Sequence, residues 1–516
     1  MGGVIAPPRR RVSLAALVFW AAGLVLGAVK LVTVVATPDP WKLLAFGSDD
    51  VHYYLLTALH AAAGDGSTFD GLQPTNGYQP LWFLLLTGLF LPGVDRSGAV
   101  VVTMVLLVVL WALALWLVWR IAAVTVGPVG AVAALVVLLP HARWWGGCEN
   151  ALVAVLLLAL VDVVLRRRLL DRPDVGSVRV AGVLLALLSL GRLDCAVLVG
   201  LFALVGWWRW RSVRLVLDLV APAVVSLVVD AAVNHALLGS ALPVSGVAKQ
   251  LGSGENWAAL GQFLLYGSLG PLPMGFGLTV LVLAVVAWVV APGVPRAAEL
   301  RALIVLLVLA QLIQVAWYVV TTPGWELQSW YFSTGTVALV LSTLVIGARL
   351  SAVRLAAPVI VGLAVLMLAV FAGKEAVQVL PRDPSSSPYT RDIDAGQWAD
   401  RTLPPGSVLA MGDWAGSFAF STQHPVVQLE GLVGSPQYLA ALQAGRGAEY
   451  LRSLGVDYYV RLLHPGEPLS CRPAEPWFGT GPKLDLDLCG RPIVYRGDVR
   501  GAIDLVVWDL RGVPGP

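Results

Sequence analysis

Long apolar runs recur along the chain, with arginines clustered between them. A helix needs about 20 apolar residues to cross a bilayer, and in hydrocarbon it must satisfy its backbone N–H and C=O groups within the segment. Runs at 12–37, 98–119, 122–140, 151–165, 215–238, 274–292, 302–320, 331–348 and 355–372 meet or approach that length. Two shorter runs, 180–190 and 195–208, flank Gly191-Arg192-Leu193-Asp194 and read as a hairpin of two spans. Composition agrees: 58% of the residues are hydrophobic and only 13% charged, against about a quarter charged in a typical soluble domain. The chain therefore reads as a polytopic α-helical membrane protein whose first partner is the lipid bilayer. Nucleic acid is not an expected partner.

Arginine placement orients the spans, because positive charge collects on the cytoplasmic side. Arg9–Arg11, Arg120, Arg166–Arg168, Arg179, Arg209–Arg214, Arg296–Arg301 and Arg349–Arg354 fall on one face only if the short run 80–92, opened by Pro80, does not span. Eleven spans follow, in a multi-pass plasma-membrane protein with a cytoplasmic amino terminus and no cleavable signal peptide. The outer face then receives 38–97, 141–150, the Arg192/Asp194 tip, 239–270, 321–330 and the tail. Residues 1–373 form the membrane module and 374–388, rich in Pro and Ser, a linker. In 389–516, short apolar strands alternate with helical stretches, which predicts a small extracytoplasmic α/β domain. Cys471 and Cys489 share that tail and are candidates for a disulfide, whereas Cys148 and Cys195 sit in or beside apolar segments and read as packing.

Charge near hydrocarbon is costly, so its placement points to function. Asp49 and Asp50 follow the first span, with His52, Tyr53 and Tyr54 beside them. An acidic residue at a helix start is an ordinary cap, but capping accounts for one carboxylate and not for two. Adjacent carboxylates repel, so one is readily raised in pKa or held by a cation. One of the pair can then serve as general base on an acceptor hydroxyl. Asn76, Tyr78, Gln79 and Trp82 follow a Gly-rich stretch and read either as an ordered loop or as a cavity floor. Arg192 and Asp194 interrupt an apolar stretch, either as a mutual ion pair or as ligands for a phosphate or sugar. Ser245 and Lys249, in Pro243-Val-Ser-Gly-Val-Ala-Lys249, suit an anion, or Lys249 contacts lipid headgroups. Glu326, Gln328, Trp330 and Tyr331 sit at a helix entrance, where an aromatic belt is the plain explanation and sugar contact the sharper one; Glu149 is a cap first and a ligand second. No P-loop, zinc-ligand spacing or GxSxG occurs.

Taken in order, these motifs resemble the GT-C-fold glycosyltransferases that use polyprenyl-phosphate sugars. The elements are Ser48-Asp49-Asp50 with Tyr53-Tyr54, Thr75-Asn76-Gly77-Tyr78 with Pro80-Leu81-Trp82, Glu149-Asn150, Arg192-Leu193-Asp194, Pro243 to Lys249 and Trp330-Tyr331-Phe332. The tail adds Asp413, Leu429-Glu430-Gly431-Leu432-Val433 and Gly455-Val456-Asp457-Tyr458-Tyr459. The layout is similar to that of mycobacterial-type arabinofuranosyltransferases. Leu193 stands where the family pattern has Pro, a change that keeps both hairpin charges. The resemblance implies inverting transfer on the outer face, from a polyprenyl-phosphate sugar to a glycan, glycolipid or glycoprotein acceptor. Asp49 is then the base, Asp50 orients, and Arg192, Lys249 and Ser245 meet the donor phosphate. His52, Tyr53, Asn76, Tyr78, Gln79, Trp82, Glu149, Asp194, Glu326, Gln328, Trp330 and Tyr331 bind substrate. No cofactor is required and a divalent metal is optional, because the leaving group is already a phosphate monoester.

Two other classes compete. A transporter or flippase of lipid-linked sugars would show inverted repeats and interrupted helices near the midplane, whereas here the polar residues crowd onto one face. A membrane-anchored binding protein would work through its tail alone.

Overall fold

The computed structural model describes residues 14–39, 41–46, 48–138, 142–265, 275–351, 353, 356–379, 388–463, 467, 469–497 and 504–511. Arg9–Arg11 and most of the expected linker, 380–387, lie outside the described residues.

The first apolar run forms α1 (Leu14–Ala36). The polar stretch after it carries α2 (Asp50–Ala63), closed by Gly64 at φ 94°, a left-handed conformation that suits glycine. Run 80–92 forms α3 (Pro80–Phe90), with Pro80 in the first turn, where its missing N–H is harmless. Next come α4 (Arg96–Thr125), capped by Asp95, and α5 (Gly127–Leu138). The α4 helix runs through Arg120, where the apolar runs 98–119 and 122–140 predict a boundary. Asp162 of α6 (Asn150–Arg167) pairs with that arginine at 2.9 Å, so the charge is tolerated inside the last two turns of α4.

The expected hairpin is α7 (Val175–Gly191) and α8 (Ala196–Trp210), with Arg192 and Asp194 in the break. The module continues through α9 (Val213–Leu238), the short α10 (Val244–Gln250) and α11 (Trp257–Leu265), α12 (Phe276–Val290), α13 (Ala297–Thr321), α14 (Ser333–Leu350) and α15 (Ala356–Val379). Among the described residues, six segments are long and apolar enough to cross a membrane: α1, α4, Leu193–Trp210, α9, α13 and Trp330–Leu350. Shorter apolar helices, α3 among them, pack with these.

In the tail, α16 (Pro388–Thr402) leads into β1 (Val408–Met411), α17 (Ala415–Ser421), β2 (Val426–Gln428), α18 (Pro436–Gln443), α19 (Gly447–Ser453) and β3 (Val456–Leu463). The small pair β4 (Ala474–Glu475) and β5 (Leu484–Asp485) precedes β6 (Ile493–Gly497) and β7 (Asp504–Asp509). Strands run in the order β2-β1-β3-β7-β6, parallel across β2, β1 and β3 and antiparallel beyond. Parallel neighbours need crossovers, which α17 and the α18–α19 pair supply. Cys471 and Cys489 are bonded, with Cα atoms 4.8 Å apart.

The tail seats directly on the loop between α2 and α3. Ser435 donates to Gln73 at 2.7 Å, and Tyr450 to the same oxygen at 3.0 Å. Gly77 lies so close to the tail that a Cβ there would overlap the Leu432 carbonyl. Gly77→Ala is therefore expected to loosen this contact and destabilise the protein by about 1–3 kcal/mol, the usual cost of overpacking. Thermal unfolding of the purified variant reads this; an unchanged transition would show that the two backbones are not held together.

Candidate active site

The acidic pair divides at the start of α2. Asp49 turns away from the membrane module: its Oδ1 accepts the Ser417 N–H at 2.6 Å and its Oδ2 the Gly416 N–H at 3.1 Å. Asp50 instead faces a cavity of about 280 Å³, walled by the ends of several helices and by Leu432 and Val433 of the tail. Burial raises the Asp50 carboxyl to about 7; the charge of Asp49 adds to the rise, and Lys249 partly offsets it.

Opposite Asp50, α10 carries Lys249 into the same cavity. Its ammonium donates to the Tyr331 hydroxyl at 2.5 Å and lies 5.3 Å from that ring and 5.8 Å from the Trp325 ring. Burial alone would lower its pKa, but Tyr331 and Asp50 outweigh burial and hold it above the usual lysine value. No carboxylate forms an ion pair with it among the described residues. Asn76 fixes this helix from below: its Oδ1 accepts the Val244 N–H at 2.9 Å and its Nδ2 donates to the Leu242 carbonyl at 3.3 Å. Ser245 lines the cavity one turn before Lys249.

Arg192 sits in the break between α7 and α8 and is committed to other side chains. It donates to Glu149 at 2.6 Å and to Asp194 at 2.6 and 3.1 Å, and is only 4% exposed. Its guanidinium lies 4.9 Å from the Tyr331 ring, and Asp194 also accepts from the Tyr318 hydroxyl. Tyr54 donates to the second oxygen of Glu149 at 2.8 Å and accepts the Gln79 N–H at 3.3 Å; Gln79 in turn accepts the Leu193 N–H. This buried network ties α2, α6, α7, α8 and α13 together. A guanidinium facing two carboxylates has little net charge left for a phosphate, which leaves Lys249 as the cation of this cavity.

Of the other sequence candidates, Tyr53, Tyr78, Gln79, Glu149, Asp194, Trp330 and Tyr331 line the cavity. His52, Asn76, Trp82, Glu326 and Gln328 do not. His52 is buried against Phe420 with ring centroids 5.2 Å apart, and Trp82 is buried with its indole on the Gly147 carbonyl at 3.1 Å. Glu326 is exposed. Tyr318 of α13 has no place among the sequence candidates, and Leu432 and Val433 enter there only within a tail motif, not as cavity residues. Two tail carboxyls also belong to this acidic neighbourhood. Burial, then Asp49 and Asp50, push Asp413 up to about 8; burial and Asp413 push Glu430 far above the carboxylate range.

No family model matches the chain, and no curated protein matches it. Solved structures do. The chain superposes on ArnT from Cupriavidus metallidurans bound to undecaprenyl phosphate with a TM-score of 0.55 and 12% identity, covering 97% of this chain and 99% of that one. The chain has the GT-C fold. The apo oligosaccharyltransferase of Archaeoglobus fulgidus superposes with a TM-score of 0.50 and 11% identity, over 86% of this chain and 69% of that one. The mycobacterial arabinofuranosyltransferase AftD gives a TM-score of 0.47 and 15% identity, over 96% of this chain and 40% of that one. At such identities the GT-C likeness describes architecture, and the chemistry rests on this chain's own side chains.

Proposed function

We propose that the chain is an integral membrane glycosyltransferase that moves a sugar from a polyprenyl-phosphate donor to a cell-envelope acceptor on the outer face of the plasma membrane. The observation that carries this reading is a carboxylate and an ammonium, Asp50 and Lys249, in one cavity and close enough to shift each other's titration. In this scheme Asp50 takes the proton of an acceptor hydroxyl, and the acceptor oxygen attacks the anomeric carbon. The bond from that carbon to the phosphate oxygen breaks, the configuration inverts, and polyprenyl phosphate leaves with its charge met by Lys249. The scheme needs no metal. The topology that goes with it has eleven spans, a cytoplasmic amino terminus and an extracytoplasmic α/β domain at 389–516. Undecaprenyl phosphate bound to ArnT is consistent with a lipid-phosphate donor.

The test is transfer by purified protein from labelled polyprenyl-phosphate arabinofuranose or mannose to envelope glycans, read as labelled product. Lys249→Gln is expected to lower kcat/KM for the donor about 10- to 150-fold, the value of a hydrogen bond to a charged group. The same variant removes the charge that lowers the Asp50 pKa, so the acid limb of its pH–rate profile moves to higher pH. Movement of labelled lipid-sugar across liposomes with no glycosidic product would replace this reading with that of a transporter.

A further inference from the structure

We infer that Asp49 is a positioning residue that, with Arg96, grips the two ends of α17 and seats the tail as one wall of the cavity. Its effect on transfer rests on Asp50 being the base; the grip itself does not.

The first N–H groups and last carbonyls of a helix have no partners within it. In α17 both ends are served by the membrane module. Asp49, just before α2, accepts from Gly416 and Ser417. Arg96, the first residue of α4, donates from one terminal nitrogen to the carbonyls of Ala419 at 3.1 Å, Phe420 at 2.8 Å and Thr422 at 2.5 Å. An anion at the amino end and a cation at the carboxyl end both match the helix dipole. Position 416 must be glycine for this approach, since a Cβ would stand 2.6 Å from the Asp49 carbonyl and 3.0 Å from its carboxylate. Ser417 is held from the tail side as well, donating its hydroxyl to Asp392 at 2.6 Å. His52 packs on Phe420 between the two grips.

The consequence reaches the cavity through the tail. Following α17 and β2, Leu432 and Val433 form cavity wall, and Leu432 is held by the Gln428 side chain at 3.0 Å and pressed against Gly77. Release of α17 displaces that wall relative to Asp50. Both Asp49 oxygens are engaged by backbone donors in this arrangement, and neither points into the cavity.

Hydrogen exchange of the full-length protein in nanodiscs tests the grip without any reference to activity. Asp49→Ala and Arg96→Ala are each expected to raise exchange in 415–421 about 10-fold or more, by loss of hydrogen bonds to a charged group. Asp49→Asn and Arg96→Lys, which keep part of each contact, fall between these and wild type and serve if an alanine variant misfolds. Unchanged exchange in all four overturns the inference. Where transfer is measurable, Asp49→Ala should lower kcat/KM for the acceptor about 10- to 100-fold, as a small misplacement does. Because the charge of Asp49 adds to the rise of the Asp50 carboxyl, its acid limb should also move to lower pH. Arg96→Ala should give a similar loss, and the double variant little more than the larger single one, because both act through the same helix. If Asp49→Ala instead abolishes transfer with α17 exchange unchanged, Asp49 acts on the reacting atoms and not through α17.

Discussion

Asp50→Asn lowers the rate of sugar transfer by about 10²- to 10⁴-fold, the usual contribution of a positioned general base, while the protein still inserts and folds. Two features of the cavity make this loss specific. Asp50 is the member of the acidic pair that faces the cavity, and its carboxyl, raised to about 7, is poised for proton exchange near neutrality. A base works only when deprotonated, so the wild-type rate should climb as the pH rises toward 7 and level off above it; the amide variant has no such limb. Stability moves the other way. A carboxyl whose folded-state pKa exceeds its unfolded value stabilises the fold at low pH, and that contribution disappears as the pH rises through about 7. The neutral amide has no such loss, so at pH 8 the Asp50→Asn protein should melt at or above the wild-type temperature. Activity profiles and melting curves at pH 5 to 9 check both. A variant that keeps full activity, or loses activity only by unfolding, would remove Asp50 from the chemistry.

Much of this architecture is readable from the chain because charge is expensive in hydrocarbon. Asp50, Glu149, Arg192, Asp194 and Lys249 stand out as polar exceptions near or between apolar runs, and all line one cavity. The short run 80–92 is set apart by arginine placement, and it forms an 11-residue helix. Arg120 misleads for the opposite reason: its neutralising partner, Asp162, lies on another helix, and pairing across helices has no local signature. The division between Asp49 and Asp50 is hidden in the same way. The two are adjacent and chemically alike, and what separates them is a pair of backbone donors 367 and 368 residues further on. Tyr318 is concealed in the same way, since its hydroxyl meets Asp194, which lies on a different element and leaves no local signature in α13. In Leu432 and Val433 there is no polar signal at all; only docking of the tail brings them to the cavity.

Arg192→Leu is expected to destabilise the protein by about 3–5 kcal/mol, the cost of stripping the counter-ion from buried carboxylates. Glu149 is 3% exposed and shares no other cation among its described ion pairs, so removal of the guanidinium leaves it facing Asp194 with two negative charges and one fewer donor group. Lysine does not repair this, because one ammonium cannot reproduce the fork that spans both carboxylates. Arg192→Lys should therefore recover only part of the stability. The triple change Arg192→Leu, Glu149→Gln and Asp194→Asn, which removes the charges together, should recover more of it, since a buried ion network replaced as a unit is often near neutral. It should still transfer poorly, because Tyr54 and Gln79 are held in place through Glu149 and Leu193. Thermal unfolding in detergent, followed by tryptophan fluorescence, orders the variants. The order also decides what Arg192 does. As a structural tie it gives the leucine variant the deepest loss, the lysine variant an intermediate one and the neutral triple variant a shallower one. As a free phosphate ligand it would leave all of them near the wild-type melting temperature, with the defect confined to donor binding.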